Sequence, residues 1–274
     1  MHSSLLSLQR LVTATDLHFT DDQVATMLAH VGDPDPTIRD DTVYTLFARG
    51  FTENRLTAEQ KRLVAHKLLH DRPLFTAIDQ PQGSTVFLQT FTALLTALLL
   101  ESDARETWLP TAIRDQFIAD ALAYLPREHD TRGWVTGNGW ADGICHGSDL
   151  LGAAWSHPHF NQAQAPQALA AIATVLTHQP RPFVNDEEPR LAMPIVQALT
   201  QHHLRAEVLT QWLQETDTVV WRDFSFTDHA AIARTHNWLA FCHHLFFLLP
   251  ADEPIHAVLQ AISHHYYHQN GYLN

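Results

Sequence analysis

The sequence predicts an all-α protein of stacked antiparallel helix pairs, and three observations carry that prediction. Apolar residues recur at helical spacing along most of the chain, with no convincing run of strand-type alternation. Gly is scarce, at 10 of 274 residues, whereas Ala and Leu are plentiful. Ala and Leu lose little on entering a helix and Gly loses most. The helical segments, finally, come in pairs.

In chain order, Asp21–Val31 pairs with Thr37–Phe51, Thr57–His70 with Ser84–Glu101, and Pro110–Leu125 with Gly139–Trp155. Ala163–His178 then pairs with Glu187–His203 and Arg205–Glu215 with Asp228–Leu249, before Pro254–Tyr267 closes the chain. Starts are marked by capping residues: Thr57 with Gln60 three residues on, Ser84, Asp186 and Asp228. Pro110 and Pro254 suit the first helical turn, where a missing N–H costs nothing. Pro194 is expected to shift, kink or split the helix beginning at Glu187.

Second helices of successive pairs start near 37, 84, 139, 187 and 228, spacings close to those of HEAT and armadillo units but without a repeated signature. Such pairs bury their apolar faces by stacking on neighbours, which gives an α-α superhelix with a concave surface. A closed α/α toroid fits the same pattern. Either way, residues 1–274 read as one domain.

Composition excludes several classes. Apolar residues make up 45% and charged residues 17%, the balance of a globular chain. Two cysteines, Cys145 and Cys242, cannot form a disulfide framework, and the N-terminus lacks the pattern of a signal peptide. The most apolar run, Val86–Leu100, is broken by Gln89, Thr90, Thr92 and Thr96, and it is shorter than the roughly 20 residues that cross a bilayer. It reads as a buried helix, and the protein as cytoplasmic with no membrane partner. Thirty acids against seventeen bases give a net charge of −13, which repels nucleic acid. Twenty histidines, if all protonated, would turn −13 into +7, through either lineage drift or a response to mild acid.

The most informative stretch is residues 130–155, DTRGWVTGNGWADGICHGSDLLGAAW. At about 100° per residue, Trp140, Ile144, Gly147, Leu151 and Trp155 share a packing face. Asn138, Asp142, His146, Asp149 and Ala153 fall opposite. Asp142 and Asp149 lie four and three residues from His146, so both carboxylates come within reach of the imidazole. That pattern suits a general base held in one tautomer, a metal ligand with carboxylate support, or a structural histidine bonded to its neighbours. Half the glycines of the chain, at 133, 137, 139, 143 and 147, fall here, allowing close helix approach or room for a ligand. No GxxxxGK[ST] pattern accompanies them, so a phosphate cradle is not indicated.

Five segments carry a family resemblance: IRDDTVYTLF at 38–47, STVFLQTFTALLTALLL at 84–100, RGWVTGNGWADGICHGSDLL at 132–151, FVNDEEPRLA at 183–192 and RTHNWLAFCHHLFF at 234–247. Over about 38–249 the chain resembles an uncharacterised bacterial family, the domain of unknown function numbered 2785. The resemblance implies a HEAT-type α-solenoid and brings no established activity or substrate. Its motif positions point to Arg39, Asp41, Arg132, Trp134, Trp140, His146, Asp149, Glu188, Arg190 and Asn237. Leu88, Gln89 and Thr90 stand where the family tends to carry an Arg-containing stretch. Most of these positions lie near second-helix starts, which a stacked array would bring to a common edge, as a ligand site or as Arg–carboxylate ties between repeats.

CHG at 145–147 is also similar to the Cys-His-Gly element that supplies two zinc ligands in lanthionine cyclases. A zinc site here would draw on Cys145, His146 and Cys242, yet adjacent residues on a straight helix point about 100° apart and the flanking motifs are missing. No metal and no cofactor are therefore expected. His264 and His268 read as a surface pair, and His157 and His159, flanking a loop proline, carry little information.

Two functional readings follow. In the first, a non-catalytic α-solenoid binds a protein, peptide or small polar ligand on its concave or edge surface. Arg39, Arg190 and the His146 face would confer specificity, and alanine at Trp140 would mainly damage folding. In the second, a hydrolase or lyase uses His146 as base or ligand, oriented by Asp142 or Asp149.

Overall fold

The computed structural model describes residues 2–80, 83–251 and 253–274, the side chains of 2–4 excepted. Its described residues are all-α apart from one short hairpin, and the chain divides into two compact units, Met1–His159 and Phe160–Asn274.

The first unit begins with α1 (His2–Leu11), which the sequence reading did not anticipate, and α2 (Asp21–Ala29). A short turn α3 (Pro36–Ile38) leads into a π-helical turn at Arg39–Tyr44 and on to α4 (Thr45–Thr52). Threonine hydroxyls complete the wide turn, since Thr42 and Thr45 donate to the carbonyls of Thr37 and Asp40, five residues back. Then come α5 (Ala58–Asp71), α6 (Val86–Arg105), α7 (Thr111–Arg127), strands β1 (Trp134–Val135) and β2 (Gly139–Trp140), and α8 (Gly143–Trp155).

Packing runs between every second helix, α4 on α6 on α8 and α5 on α7, as well as between neighbours. At the centre lies α6. Among the described residues it is the one helix long and apolar enough to cross a membrane, but 89% of its apolar window is buried inside the protein. It is a core helix, and its threonines and Gln89 are buried with it.

The second unit contains α9 (Ala165–His178), α10 (Glu187–Thr200), α11 (Ala206–Val220), α12 (His229–Leu248) and α13 (Ile255–Gln269). It repeats the ladder: α9, α11 and α13 pack in succession, and α10 packs on α12. Trp238 and Phe241 stack in its core, and Phe246 is half-buried.

Several local expectations need correction. The helix expected from Gly139 begins at Gly143, because Gly137, Gly139 and Asp142 hold φ of 84°, 77° and 51°, a left-handed backbone no α-helix accommodates. The preceding residues form the hairpin instead, which the sequence reading missed. Pro194 sits inside α10 without splitting it. Thr57 and Gln60 do form the reciprocal capping box, and Asp228 accepts from the Ala230 amide. Ser84 does not cap α6, whose N-cap is Thr85, and Asp186 precedes α10 in a left-handed conformation with no side-chain cap.

Candidate functional site

The site begins with a charge in an unusual place. Arg39 is 0% exposed, brought inward by the π-helical turn. Its guanidinium lies over the rings of Phe87 and Phe91 on α6, 4.2 and 4.7 Å from their centroids. One terminal nitrogen donates to the Asp33 carbonyl at 2.8 Å. The other donates to the Asp40 carboxylate at 2.9 Å and to the carbonyls of Asn138 and Trp140 at 2.7 and 3.3 Å. Burial lowers the Arg39 pKa, with Asp40, Asp33 and Asp35 opposing that shift.

Those last carbonyls belong to the hairpin. Two strands of two residues each are marginal alone, so this one depends on what holds it. Arg39 holds it on one side, and Asn138 donates its side-chain amide to the Pro34 carbonyl at 3.0 Å. A side chain at Gly139 would meet Pro36 and the Arg39 guanidinium at 3.0 and 3.3 Å, so glycine is required by contact as well as by φ.

On the hairpin, Trp134 pairs with Trp140 across the strands. Their rings meet edge to face, centroids 5.1 Å apart and planes at 77°. They are 59% and 42% exposed. Trp140 lies in β2 and therefore belongs to no helical packing face, which corrects its expected place on the central helix. Asp41 is exposed on the π-helical turn nearby in sequence. Arg132, a third exposed, is held by the Asp130 carboxylate and by the Gly83 carbonyl at 2.8 Å.

His146 is placed differently from the expected polar face. It is 8% exposed, and its ring meets Phe91 edge to face at 5.1 Å. Arg39 and His146 thus share one aromatic ring. Asp142 precedes α8, and its carbonyl accepts the His146 amide at 2.9 Å. Asp149 is half-buried; burial first, then its negative charge, raises the pKa of Glu101 on α6. The reason for the misplacement is that α8 is covered on nearly all sides, so a polar stripe on its wheel does not face solvent. A void of about 10 Å³ beside Phe91 is lined by Val31, Val43, Tyr44, Phe47 and Leu95, all apolar but for one hydroxyl.

The second unit holds the remaining candidates. Asn237 is buried and spans a loop, donating to the Arg181 carbonyl at 2.9 Å and accepting from the Phe183 amide at 3.0 Å. Glu188 and Arg190 are half-buried on the first turn of α10. Burial, followed by the charges of Glu187 and Asp186, raises the Glu188 pKa.

Among the described residues no group of three His, Cys, Asp or Glu side chains is arranged to hold a metal ion. Cys145 and Cys242 are both buried, and burial pushes the Cys242 pKa well above its usual value.

Sequence reasoning missed three polar clusters. Buried Asp103 accepts from Arg114 at 2.6 Å, from the Trp108 and Leu109 amides at 2.7 Å each, and pairs with His157 at 3.1 Å. His157, fully buried, is the residue whose loop position carried no information. Buried Glu128 accepts from the Tyr124 hydroxyl at 2.6 Å and the Asp130 amide at 2.8 Å. In the second unit, Asp217 accepts from the Trp238 indole at 2.8 Å and pairs with His265 at 2.6 Å. The Asp103 and Asp217 partners lie on separate elements at irregular spacing, so no local pattern announces them, whereas Tyr124 and Glu128 stand one helical turn apart, a spacing the sequence does offer.

The family profile described as protein of unknown function (DUF2785) matches residues 74–247, and the chain belongs to that family. No curated protein and no solved structure matches it.

Proposed function

We propose that this member of the DUF2785 family is a non-catalytic, cytoplasmic helical scaffold that binds a protein or peptide segment at an edge surface built on the Trp134–Trp140 hairpin. One observation carries the reading: two large apolar side chains stand exposed on a hairpin whose backbone a fully buried arginine ties down. Exposed tryptophans are uncommon on inert surfaces and enriched where proteins bind partners. The alternating helix contacts within each unit support a HEAT-type scaffold, a class that presents partners with extended surfaces. A net charge of −13 argues against nucleic acid as the partner.

The hydrolase or lyase reading loses support with His146 packed against Phe91. Quantitative capture from extract with wild type and with the Trp134→Ala, Trp140→Ala double variant tests the proposal. Proteins retained by wild type and depleted about tenfold or more in the folded variant are expected. An identical protein set for both, or a substrate turnover lost in His146→Ala alone, would overturn it.

A further inference from the structure

His66 and His70 stand one turn apart on α5, and both are exposed. That spacing puts two imidazoles on one face of the helix. Their rings also lean together, with planes at 12° and centroids 6.0 Å apart. His70 carries a further feature. The Asp71 carboxylate meets its Nδ1 at 2.7 Å, and the other carboxylate oxygen takes the Lys67 ammonium at 2.8 Å. With Asp71 holding a proton on Nδ1, the Nε2 lone pair of His70 is left for a ligand, which is how a carboxylate supports a metal-binding imidazole. The neighbouring cations on α5 are engaged: Lys67 with Asp71, and Arg62, one turn before His66, with Glu59 at 2.8 Å. Two imidazoles on one tetrahedral metal, with metal–nitrogen bonds of about 2.0–2.1 Å, bring their centroids to about 5 Å apart. The observed separation lies within a small rotation of two exposed side chains from that value.

We propose that His66 and His70 form a two-histidine site on α5 for a divalent transition-metal ion of the zinc class, with Asp71 as the positioning residue behind His70. Imidazole nitrogen suits zinc, copper and nickel, whereas magnesium and calcium take oxygen ligands. No group of three metal-holding side chains occurs among the described residues, so the protein supplies two ligands and water or a group of a binding partner supplies the rest. The net charge of −13 favours the approach of a cation. The site is independent of the hairpin and of what the hairpin binds.

The test titrates the chelator-stripped full chain with zinc chloride against a chromophoric competitor, and follows the thermal midpoint with and without zinc. Wild type is expected to bind one zinc ion more tightly than its other histidines do, and zinc to raise its midpoint. His66→Ala and His70→Ala, at exposed positions where alanine suits a helix, should each weaken that event about tenfold or more and reduce the midpoint shift. Circular dichroism checks their folding. Asp71→Asn should weaken the event several-fold without changing its stoichiometry. The event should fade as pH falls through about 6.5, where imidazoles take up protons. His264 and His268 repeat the spacing on α13 and serve as the comparison, and replacing both by alanine should leave the tight event in place. Equal zinc binding by wild type and the His66 and His70 variants would overturn the proposal, since scattered histidines would then suffice. So would a tight event that the His264 and His268 replacements remove, or no zinc event tighter than that background. Unchanged binding in Asp71→Asn would overturn the role given to Asp71.

Discussion

Arg39 donates to the Trp140 carbonyl at 3.3 Å across 101 residues of chain, from a position that solvent does not reach. That bond joins a π-helical turn to the hairpin that carries the two exposed tryptophans, which is too short to stand alone. The same guanidinium also fixes the Asp33 carbonyl, so one side chain organises the acidic segment and the aromatic pair together.

Replacing that clamp should therefore cost more than an ordinary surface change. Arg39→Met is expected to lower stability by about 3 kcal/mol or more, because three backbone carbonyls and the Asp40 carboxylate lose their donor. Arg39→Lys should recover only part, since one ammonium cannot span that fork. Urea unfolding gives the stability, and hydrogen exchange at Asn138 and Ala141 should accelerate in both variants. Unchanged exchange there would mean that the hairpin holds without the clamp.

Glu128 makes a pH-dependent prediction. Burial raises its pKa to about 7, against the favourable bonds from Tyr124 and the Asp130 amide. A raised pKa means the folded state binds the proton more tightly than the unfolded one. Its contribution is full below the unfolded value near 4.5 and is lost as pH rises through about 7. Glu128→Gln should gain stability relative to wild type between pH 5 and pH 8, by up to roughly 3 kcal/mol. Denaturant midpoints at the two pH values check this, and a constant difference would contradict it.

Asp103 runs in the opposite direction. Burial works to raise its pKa, but Arg114 and two backbone amides outweigh burial and hold it below the usual carboxylate range. Its contribution is present above the unfolded pKa and lost as pH falls through the folded one. Asp103→Asn leaves the Arg114 guanidinium buried opposite a neutral group, at a cost of about 3–5 kcal/mol at neutral pH. That cost should shrink under acid conditions. Thermal unfolding at both ends of the range measures it.

Close approach of α8 to α7 is a separate matter of shape. A Cβ on Gly147 would meet Tyr124 and Leu125 at 2.7 Å, inside any normal contact distance. Gly147→Ala should destabilise by about 1–3 kcal/mol despite its better helix propensity. A more stable variant would show that the ring of Tyr124 yields.

The helical ladder was largely legible in the sequence, because apolar periodicity and the scarcity of glycine are averaged over many residues. The capping box at Thr57 and Gln60 was legible for a local reason, as both partners lie within one turn. The site was legible only in part. Arg39, Trp134 and Trp140 were singled out, yet their roles were not, because the turn before Gly143 depends on left-handed residues that a helical wheel ignores. His146 failed as a solvent-facing base for a related reason: a wheel gives direction around its own axis and not what covers each side. The Asp103 and Asp217 networks depend on partners brought in by other elements, which periodicity does not encode.

The central claim is that the tryptophan pair serves binding more than folding. Denaturant unfolding and partner binding, measured together on the Trp134→Ala, Trp140→Ala double variant, test it most directly. An exposed aromatic pair contributes about 0.5–1.5 kcal/mol, so the account predicts a stability change within that range and a loss of partner binding of about tenfold or more. A variant destabilised by several kcal/mol that still binds its partners as wild type does would contradict it.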